Sequence, residues 1–131
     1  MTPEQLAKDT EHSQQTAFFC WCQQQKYDER LKFAFAIPNG GERNVIVASR
    51  LKAEGVKQGV PDVFVPIPNN QYAGLWIEFK RPGTETQKAG KLSTEQEKWI
   101  AYLQSQNYSC FVAYNYLSAV ECVLGYLSLN H

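Results

Sequence analysis

Residues 59–65 read Gly-Val-Pro-Asp-Val-Phe-Val, and residues 75–80 read Leu-Trp-Ile-Glu-Phe-Lys. Both are short apolar runs typical of buried strands, and Asp62, Glu78 and Lys80 interrupt them with charge. Because alternate side chains of a strand share a face, Glu78 and Lys80 are expected to point the same way. A carboxylate and an ammonium group are costly to bury without partners. A metal ion with a bound phosphate would supply those partners.

Two carboxylates and a lysine on adjacent strands are the minimum set for metal-dependent cleavage of a phosphodiester. Mg²⁺ prefers oxygen ligands, so we expect it to be held by Asp62, Glu78 and the backbone carbonyl of Phe79. Lys80 is expected to orient the attacking water or to stabilise developing negative charge, rather than to abstract a proton. No small-molecule organic cofactor is expected. Taken alone, Pro-Asp is also typical of turns and Glu-x-Lys of exposed stripes, and spacing leaves both interpretations open.

Composition predicts one folded domain over residues 1–131, since the chain is 44% hydrophobic and shows no repeat or linker. Its formal net charge is zero, which argues against a strongly basic nucleic-acid binder. Residues 30–91, however, carry ten Lys and Arg against five Asp and Glu, a net charge of +5. Solvated helix faces explain this excess as well as a polyanionic partner does, so charge alone does not decide the partner.

Export and membrane insertion are not expected. The first nine residues hold no apolar core of signal-peptide length, and no apolar run approaches ~20 residues. The four cysteines, at positions 20, 22, 110 and 122, have no standard zinc spacing with each other or with the two histidines. We interpret them as buried, reduced thiols of an intracellular, cytoplasmic protein.

The order of elements predicts a mixed α/β fold on one sheet. The predicted elements are a helix over roughly residues 1–25, a strand at 32–37, a helix at 42–54, a hairpin turning at 66–74, a helix from Ser93 or Thr94, a strand at 109–114 and a helix at 117–127. Thr2 can cap the first helix and Gly55 can end the second. In the first helix, Glu11 is predicted to face the same way as Phe18 and Cys22, toward the body of the protein.

With these elements in place, the chain resembles a known family. The segments 59–62, 76–80 and 90–99 are similar to the VRR-NUC domain, the virus-type replication–repair branch of the PD-(D/E)xK nucleases. The resemblance runs from Glu11 and Gln15 to Tyr126-Leu127 and so covers nearly the whole chain. A bare PD…ExK is a weak signal. The ordered set that ends in Leu-Ser-x-x-Gln-x-x-Trp is a specific one.

The resemblance implies a restriction-endonuclease-like αβββαβ core, with a central mixed sheet flanked by helices, and DNA cleavage dependent on Mg²⁺ or Mn²⁺. Asp62 and Glu78 match the metal ligands, Lys80 the catalytic lysine and Gln96 the glutamine of the helix after the sheet. Glu11 matches the acidic residue of the first helix. Short standalone members are typical of phages and bacteria and resemble dimeric Holliday-junction resolvases. The resemblance therefore implies a homodimer that acts on branched or duplex DNA, including in phage-infected hosts.

Two of these residues have simpler explanations. Ser93-x-x-Gln96 is also a capping box, which would turn Gln96 back to its own helix end. Because Thr94-x-x-Glu97 fits the same motif, we favour that register, which leaves Gln96 facing the sheet. Glu11 is either a metal or water ligand or a plain helix acid.

Contacts to DNA phosphates cannot be assigned singly. Asn39, followed by two glycines, could bind a phosphate or simply make a turn. The candidate nucleic-acid-binding residues are Asn39, Arg43, Arg50, Lys52, Lys57, Arg81, Lys88 and Lys91. The expected function is a structure-selective DNA endonuclease, a Holliday-junction resolvase in particular. A flap, nick or duplex endonuclease is the first alternative, and a non-catalytic nucleic-acid-binding module on a relic nuclease fold is the second.

Overall fold

A computed structural model describes residues 1–26, 28–38 and 45–129. The helices are α1 (Pro3–Leu6), α2 (Glu11–Gln24), α3 (Val45–Ala53), α4 (Thr94–Ser105) and α5 (Tyr116–Ser128), with a 3-10 helix at Glu29–Phe33. The strands are β1 (Phe35–Ala36), β2 (Val63–Val65), β3 (Leu75–Phe79) and β4 (Ser109–Ala113). Within this order, α2, β1, β2, β3, α4 and β4 form the αβββαβ series, so the predicted mixed α/β fold is confirmed. Among the described residues, none of the helices has the length and apolar character needed to cross a bilayer.

The four strands form one mixed sheet in the order β1-β2-β3-β4. β1 with β2 and β2 with β3 pair antiparallel, whereas β3 and β4 pair parallel. The predicted hairpin is therefore correct, and its register places Phe64 opposite Trp76. Continued by two residues, this register brings Asp62 opposite Glu78. Asp62 directly precedes β2 and Glu78 lies in β3, so the two carboxylates lie at adjacent positions on one face.

The other face of the sheet carries the core. Val63, Leu75 and Ile77 are fully buried there, in one cluster with Phe18 of α2 and Val123 of α5. Burying a side chain of this size contributes about 1.5–3 kcal/mol. The sheet is therefore anchored through the face that bears no charge, and the face of Asp62 and Glu78 remains available for chemistry.

The N-terminal segment forms two helices, so the prediction of one continuous helix over residues 1–25 is wrong. Thr10 has extended backbone angles and its hydroxyl accepts a hydrogen bond from the Ser13 N–H (3.1 Å), which starts a new helix. Buried Gln14 fixes the bend by donating to the Lys8 carbonyl (2.6 Å) and accepting from the Tyr116 N–H (2.7 Å). The break makes Glu11 the first residue of α2.

Other boundaries follow the sequence more closely. The Thr2 cap of α1 is confirmed, since its hydroxyl accepts from the Gln5 N–H (3.2 Å). Gly55 ends α3 as predicted, at a φ of +100° that favours glycine. The first two residues of the predicted strand at 32–37 instead belong to the 3-10 helix, because Asp28 caps that helix at the Arg30 N–H (3.1 Å). The predicted start of the second helix at residues 42–44 lies outside the described residues.

The later helices and the last strand differ from their predicted bounds by a few residues. The last helix begins at Tyr116, one residue before its predicted start, because the side chain of Asn115 caps it by accepting from the Ser118 N–H (2.8 Å). It ends at Ser128, and β4 ends at Ala113.

Gly74 permits a close aromatic packing next to the hairpin. A Cβ at this position would lie 2.8 Å from the Phe64 ring, whose centroid is 4.4 Å from that of Trp76 and 6.0 Å from that of Tyr108. We expect Gly74→Ala to lower the free energy of unfolding by about 1–3 kcal/mol, because the ring cannot withdraw without disturbing its neighbours. Urea denaturation followed by tryptophan fluorescence measures this change.

Gly125 provides the matched control. It lies within α5, and a Cβ there would meet nothing within 4 Å. Gly125→Ala is expected to raise the free energy of unfolding by about 0.5–1 kcal/mol through helix propensity. A Gly74→Ala variant as stable as the parent protein would contradict the packing argument.

Candidate active site

Glu78 is a buried carboxylate with one unpartnered oxygen. It lies near the end of β3 and is 3% exposed. Its Oε2 accepts a hydrogen bond from the Gln96 Nε2 (3.3 Å) and lies 3.9 Å from the Lys80 Nζ. Within the described part of the chain, its Oε1 has no hydrogen-bond partner. Such an orphan oxygen costs free energy unless something else coordinates it.

Asp62 links the loop before β2 to the end of β3. Its Oδ2 accepts a hydrogen bond from the Phe79 N–H (2.8 Å), where a β-ladder would otherwise continue. The continued register places Pro61 opposite Phe79, and proline has no N–H to donate to the Phe79 carbonyl. The Pro-Asp pair therefore replaces one hydrogen bond of the β2–β3 ladder with a bond to the Asp62 carboxylate. It also leaves the Phe79 carbonyl without an N–H donor from Pro61.

Lys80 extends β3 by one residue and carries a buried ammonium group. It is 7% exposed, and its backbone N–H donates to the Ala113 carbonyl (2.9 Å). Its Nζ lies 4.0 Å from the Glu11 Oε1 and 3.9 Å from the Glu78 Oε2. The predicted direction of Glu11 is therefore correct, and that half-exposed side chain lies over the end of the sheet that carries Lys80.

The pKa of Glu78 follows from this environment. The pKa of Glu78 is raised to about 9. Burial is the largest cause, the adjacent Asp62 carboxylate comes next and Glu11 adds to the rise, whereas the Lys80 ammonium opposes it. Without a bound cation, this environment favours the protonated form of Glu78. A divalent cation would favour the ionised form and release that proton.

The donor set fits a hard cation. Asp62, Glu78 and the Phe79 carbonyl offer oxygens, and the orphan Glu78 Oε1 is the position that a cation would satisfy. Within residues 1–26, 28–38 and 45–129, no three His, Cys, Asp or Glu side chains are grouped closely enough to hold an ion by themselves. A metal that keeps several waters, as Mg²⁺ does, suits such a sparse set of ligands.

The cysteines do not add to this set. All four thiols are free; Cys22 is buried and the other three are partly exposed, so the prediction of buried thiols is correct for Cys22 alone. Burial raises the pKa of Cys22 to about 12, which disfavours the thiolate that would bind a metal.

Gln96 fulfils both of the roles that the sequence suggested as alternatives. Its Oε1 accepts from the Ser93 N–H (2.8 Å), and the Ser93 hydroxyl accepts from the Gln96 N–H (3.2 Å), which forms the capping box of α4. The favoured Thr94–Glu97 register is therefore wrong. Because its oxygen is engaged by the cap, the amide presents its Nε2 to Glu78.

A cleft of about 730 Å³ opens beside Lys80. It lies between the start of α2 and the loop that follows β3, and it is lined by Asp9, Thr10, Glu11, Lys80, Arg81, Gln87, Lys88, Ala89, Gly90 and Lys91. One wall is therefore mainly cationic, and the other is the acidic N-terminal end of a helix. Asp62 and Glu78 do not line the cleft, but Lys80 does, and its Nζ lies 3.9 Å from the Glu78 Oε2.

The loop of residues 81–90 is closed by Arg81. Its guanidinium donates to the Lys88 carbonyl from Nε (3.2 Å) and Nη2 (2.5 Å), and its own carbonyl accepts from the Gly90 N–H (3.0 Å). Sequence reasoning missed this closing role, although the following Pro-Gly was a signal for a turn. Lys88 and Lys91 remain exposed along the cleft.

The other predicted nucleic-acid contacts lie elsewhere. Arg50 and Lys52 are exposed on α3 and Lys57 is exposed just after it; none of the three lines the cleft. Asn39 and Arg43 lie outside the described residues.

The raised pKa of Glu78 gives a pH dependence with a defined sign. The pKa of an unperturbed glutamate is near 4.5, and that of Glu78 in the folded protein is about 9. Between these two pH values, Glu78 holds a proton in the folded protein that it has lost in the unfolded chain. The free energy of unfolding contributed by this group therefore falls as pH rises through that range. Gln has no proton to lose.

We expect the metal-free parent protein to lose stability relative to Glu78→Gln as pH is raised from about 5 to 9. Urea denaturation in EDTA at several pH values measures the difference. If the two proteins show parallel curves, Glu78 does not carry the proton.

Comparison with known proteins agrees with this geometry. The family model of the VRR-NUC domain matches residues 3–115. A solved structure described as a VRR_NUC domain protein superposes with a TM-score of 0.77 at 26% sequence identity, covering 92% of this chain and 90% of that one. A search of curated proteins finds no significant match. The chain belongs to the VRR-NUC family, and it is a nuclease domain of the PD-(D/E)xK type.

Proposed function

We propose that the protein is a divalent-metal-dependent DNA endonuclease. The observation that carries this proposal is the buried Glu78. Its Oε1 has no hydrogen-bond partner among the described residues, and its Oε2 lies 3.9 Å from the Lys80 Nζ. Nucleases of this type act on DNA, and their substrate is a polyanion that suits the cationic wall of the cleft. Residues 1–131 act in this function as one nuclease domain.

Each residue has a role that follows from its position. Asp62, Glu78 and the Phe79 carbonyl would hold Mg²⁺ or Mn²⁺, which when bound acts as a Lewis acid and lowers the pKa of a coordinated water. Lys80 orients the attacking water and stabilises negative charge on the scissile phosphate. Gln96 holds the Glu78 carboxylate through Oε2, and Glu11 supplies a further acceptor for the ammonium or for water.

Hydrolysis forms one P–O bond to the water oxygen and breaks the P–O bond to the leaving sugar oxygen. The attacking water gives up one proton, and the leaving oxygen takes up one, so the protons balance. The Lys80 Nζ lies 4.0 Å from the Glu11 Oε1 and 3.9 Å from the Glu78 Oε2, where it can donate hydrogen bonds to the water and to the phosphate. Positioning and charge stabilisation therefore account for its role, in keeping with the sequence interpretation.

We further propose that the protein acts as a homodimer on four-way DNA junctions. A junction has two symmetric scissile strands, and a two-fold dimer offers two sites to match them. With a formal net charge of zero, one copy has modest attraction for DNA, and a second copy on the same substrate adds its contacts. Flaps, nicks and linear duplex are the alternative substrates.

A non-catalytic module is the less favoured alternative. Such a protein would have to hold Glu78 and Lys80 buried at 3% and 7% exposure without using either charge. Because buried ion pairs seldom stabilise a fold more than apolar residues would, their retention favours a catalytic role. Calorimetry that finds DNA binding without metal binding would favour the module instead.

We expect Asp62→Asn and Lys80→Met each to lower the rate of Mg²⁺-dependent cleavage by at least ~100-fold. Asn keeps an acceptor for the Phe79 N–H, and Met keeps the apolar stem of Lys80, so both variants should remain folded. Cleavage is measured on a mobile four-way junction, a flap, a nicked duplex and a linear duplex at matched salt. If both variants cleave as fast as the parent protein, the assigned site is wrong.

Lys32→Ala is the matched control. Lys32 forms an exposed ion pair with Glu29 and lies outside the cleft, so the variant should cleave at the parent rate. Light scattering of the same samples gives the mass in solution. A monomer that cleaves linear duplex as well as the junction would exclude the dimeric resolvase and leave the nuclease assignment intact.

A further inference from the structure

Gly59 packs so closely against the first turn of α4 that no side chain fits between them. A Cβ built at position 59 would lie 2.8 Å from the carbonyl carbon and oxygen of Glu95 and 2.9 Å from its Cβ. The residue also has a φ of +90°, in the left-handed region that favours glycine. The two nearest atoms belong to helix backbone and cannot rotate away, so any substituent must displace one segment from the other.

This contact joins the two elements that carry the site. Gly59 precedes Asp62 by three residues on the loop into β2, and Glu95 directly precedes Gln96 on α4. The same contact therefore sets the distance of α4 from the Pro-Asp loop and from the end of β3. Gln96 reaches Glu78 across this gap.

The hydrogen bond between Gln96 and Glu78 has little tolerance for movement. At 3.3 Å its donor–acceptor distance is already just beyond the usual range of about 2.7–3.2 Å. Relieving the contact at position 59 from 2.8 Å to an ordinary 3.4 Å requires a shift of about 0.6 Å. An outward shift of that size at the start of α4 would break the bond.

We propose that Gly59 is a positioning residue for the nuclease site: its missing side chain seats α4 so that Gln96 can hold the Glu78 carboxylate. The effect on cleavage rests on the proposed function. The effect on the Gln96 side chain does not, so the two can fail separately.

Gly55 supplies the matched control. It too has a left-handed φ, +100°, but a Cβ there would meet nothing within 4 Å. Gly55→Ala therefore introduces the same kind of backbone strain as Gly59→Ala without the contact to α4. Asn tolerates left-handed angles better than Ala, so Gly59→Asn and Gly55→Asn form a second pair if the alanine variant at position 59 fails to fold.

The test is a double-mutant cycle on folded proteins. Gly59→Ala is expected to lower kcat about as much as Gln96→Ala, on the order of 10- to 100-fold, with KM changed little, because a hydrogen bond at the site is lost and not a DNA contact. Gly55→Ala should stay within about threefold of the parent kcat. The double variant Gly59→Ala/Gln96→Ala should be no slower than Gln96→Ala alone, since both changes remove the same interaction.

A second readout does not depend on activity. In the metal-free protein, the side-chain amide of Gln96 is followed by ¹⁵N–¹H NMR, with Gln96→Ala for assignment. The amide signal should move to the position of a free glutamine in Gly59→Ala and stay unchanged in Gly55→Ala. Fully additive losses of kcat in the cycle, or an unchanged Gln96 signal in Gly59→Ala, would overturn the proposal. A parent protein that cleaves no DNA, with the NMR result as expected, would reject the nuclease function and keep the positioning role.

Discussion

The buried carboxylate of Glu78 is the constraint on which the surrounding structure depends. A carboxylate with 3% exposure must either hold a proton or be compensated by cations and donors. Lys80 and Gln96 compensate only Oε2, and Oε1 has no partner among the described residues. Strand β3, the first turn of α4 and the loop before β2 all converge on this group. A cation bound at Oε1 would supply the partner that this oxygen lacks.

Much of this arrangement could be predicted because strand periodicity and turn chemistry are local properties. Alternation along residues 75–80 correctly divides a core face from a charged face, and Gly55 ends its helix as its conformational freedom predicts. The continued hairpin register then brings Asp62 opposite Glu78. The local sequence pattern was sufficient to predict an element wherever the residues that fix its structure lie only a few positions apart in the chain.

The rest depended on tertiary partners that spacing does not reveal. Two capping registers of α4, starting at Ser93 or at Thr94, were both chemically possible. In the folded protein Ser93 is the cap, and Gln96 bonds both to Ser93 and to Glu78, which is distant in the chain. The break before α2 had a local signal in Thr10 and Ser13, but it is fixed by Gln14 through its bond to Tyr116, which is distant in the chain. Arg81 likewise closes the 81–90 loop through bonds to the Lys88 carbonyl, which form only once the loop has folded back on itself.

The loop between β3 and α4 begins the crossover that joins the parallel strands β3 and β4, so this crossover starts from the end of the sheet that carries Glu78 and Lys80. This loop closes on itself through Arg81 and Gly90 and contributes Lys88 and Lys91 to the cleft. Its length and sequence can therefore vary without altering the strand register that aligns Asp62 with Glu78. The cationic residues of the cleft and the carboxylates of the sheet edge therefore lie in different segments of the chain, and the first can change while the second stay in place.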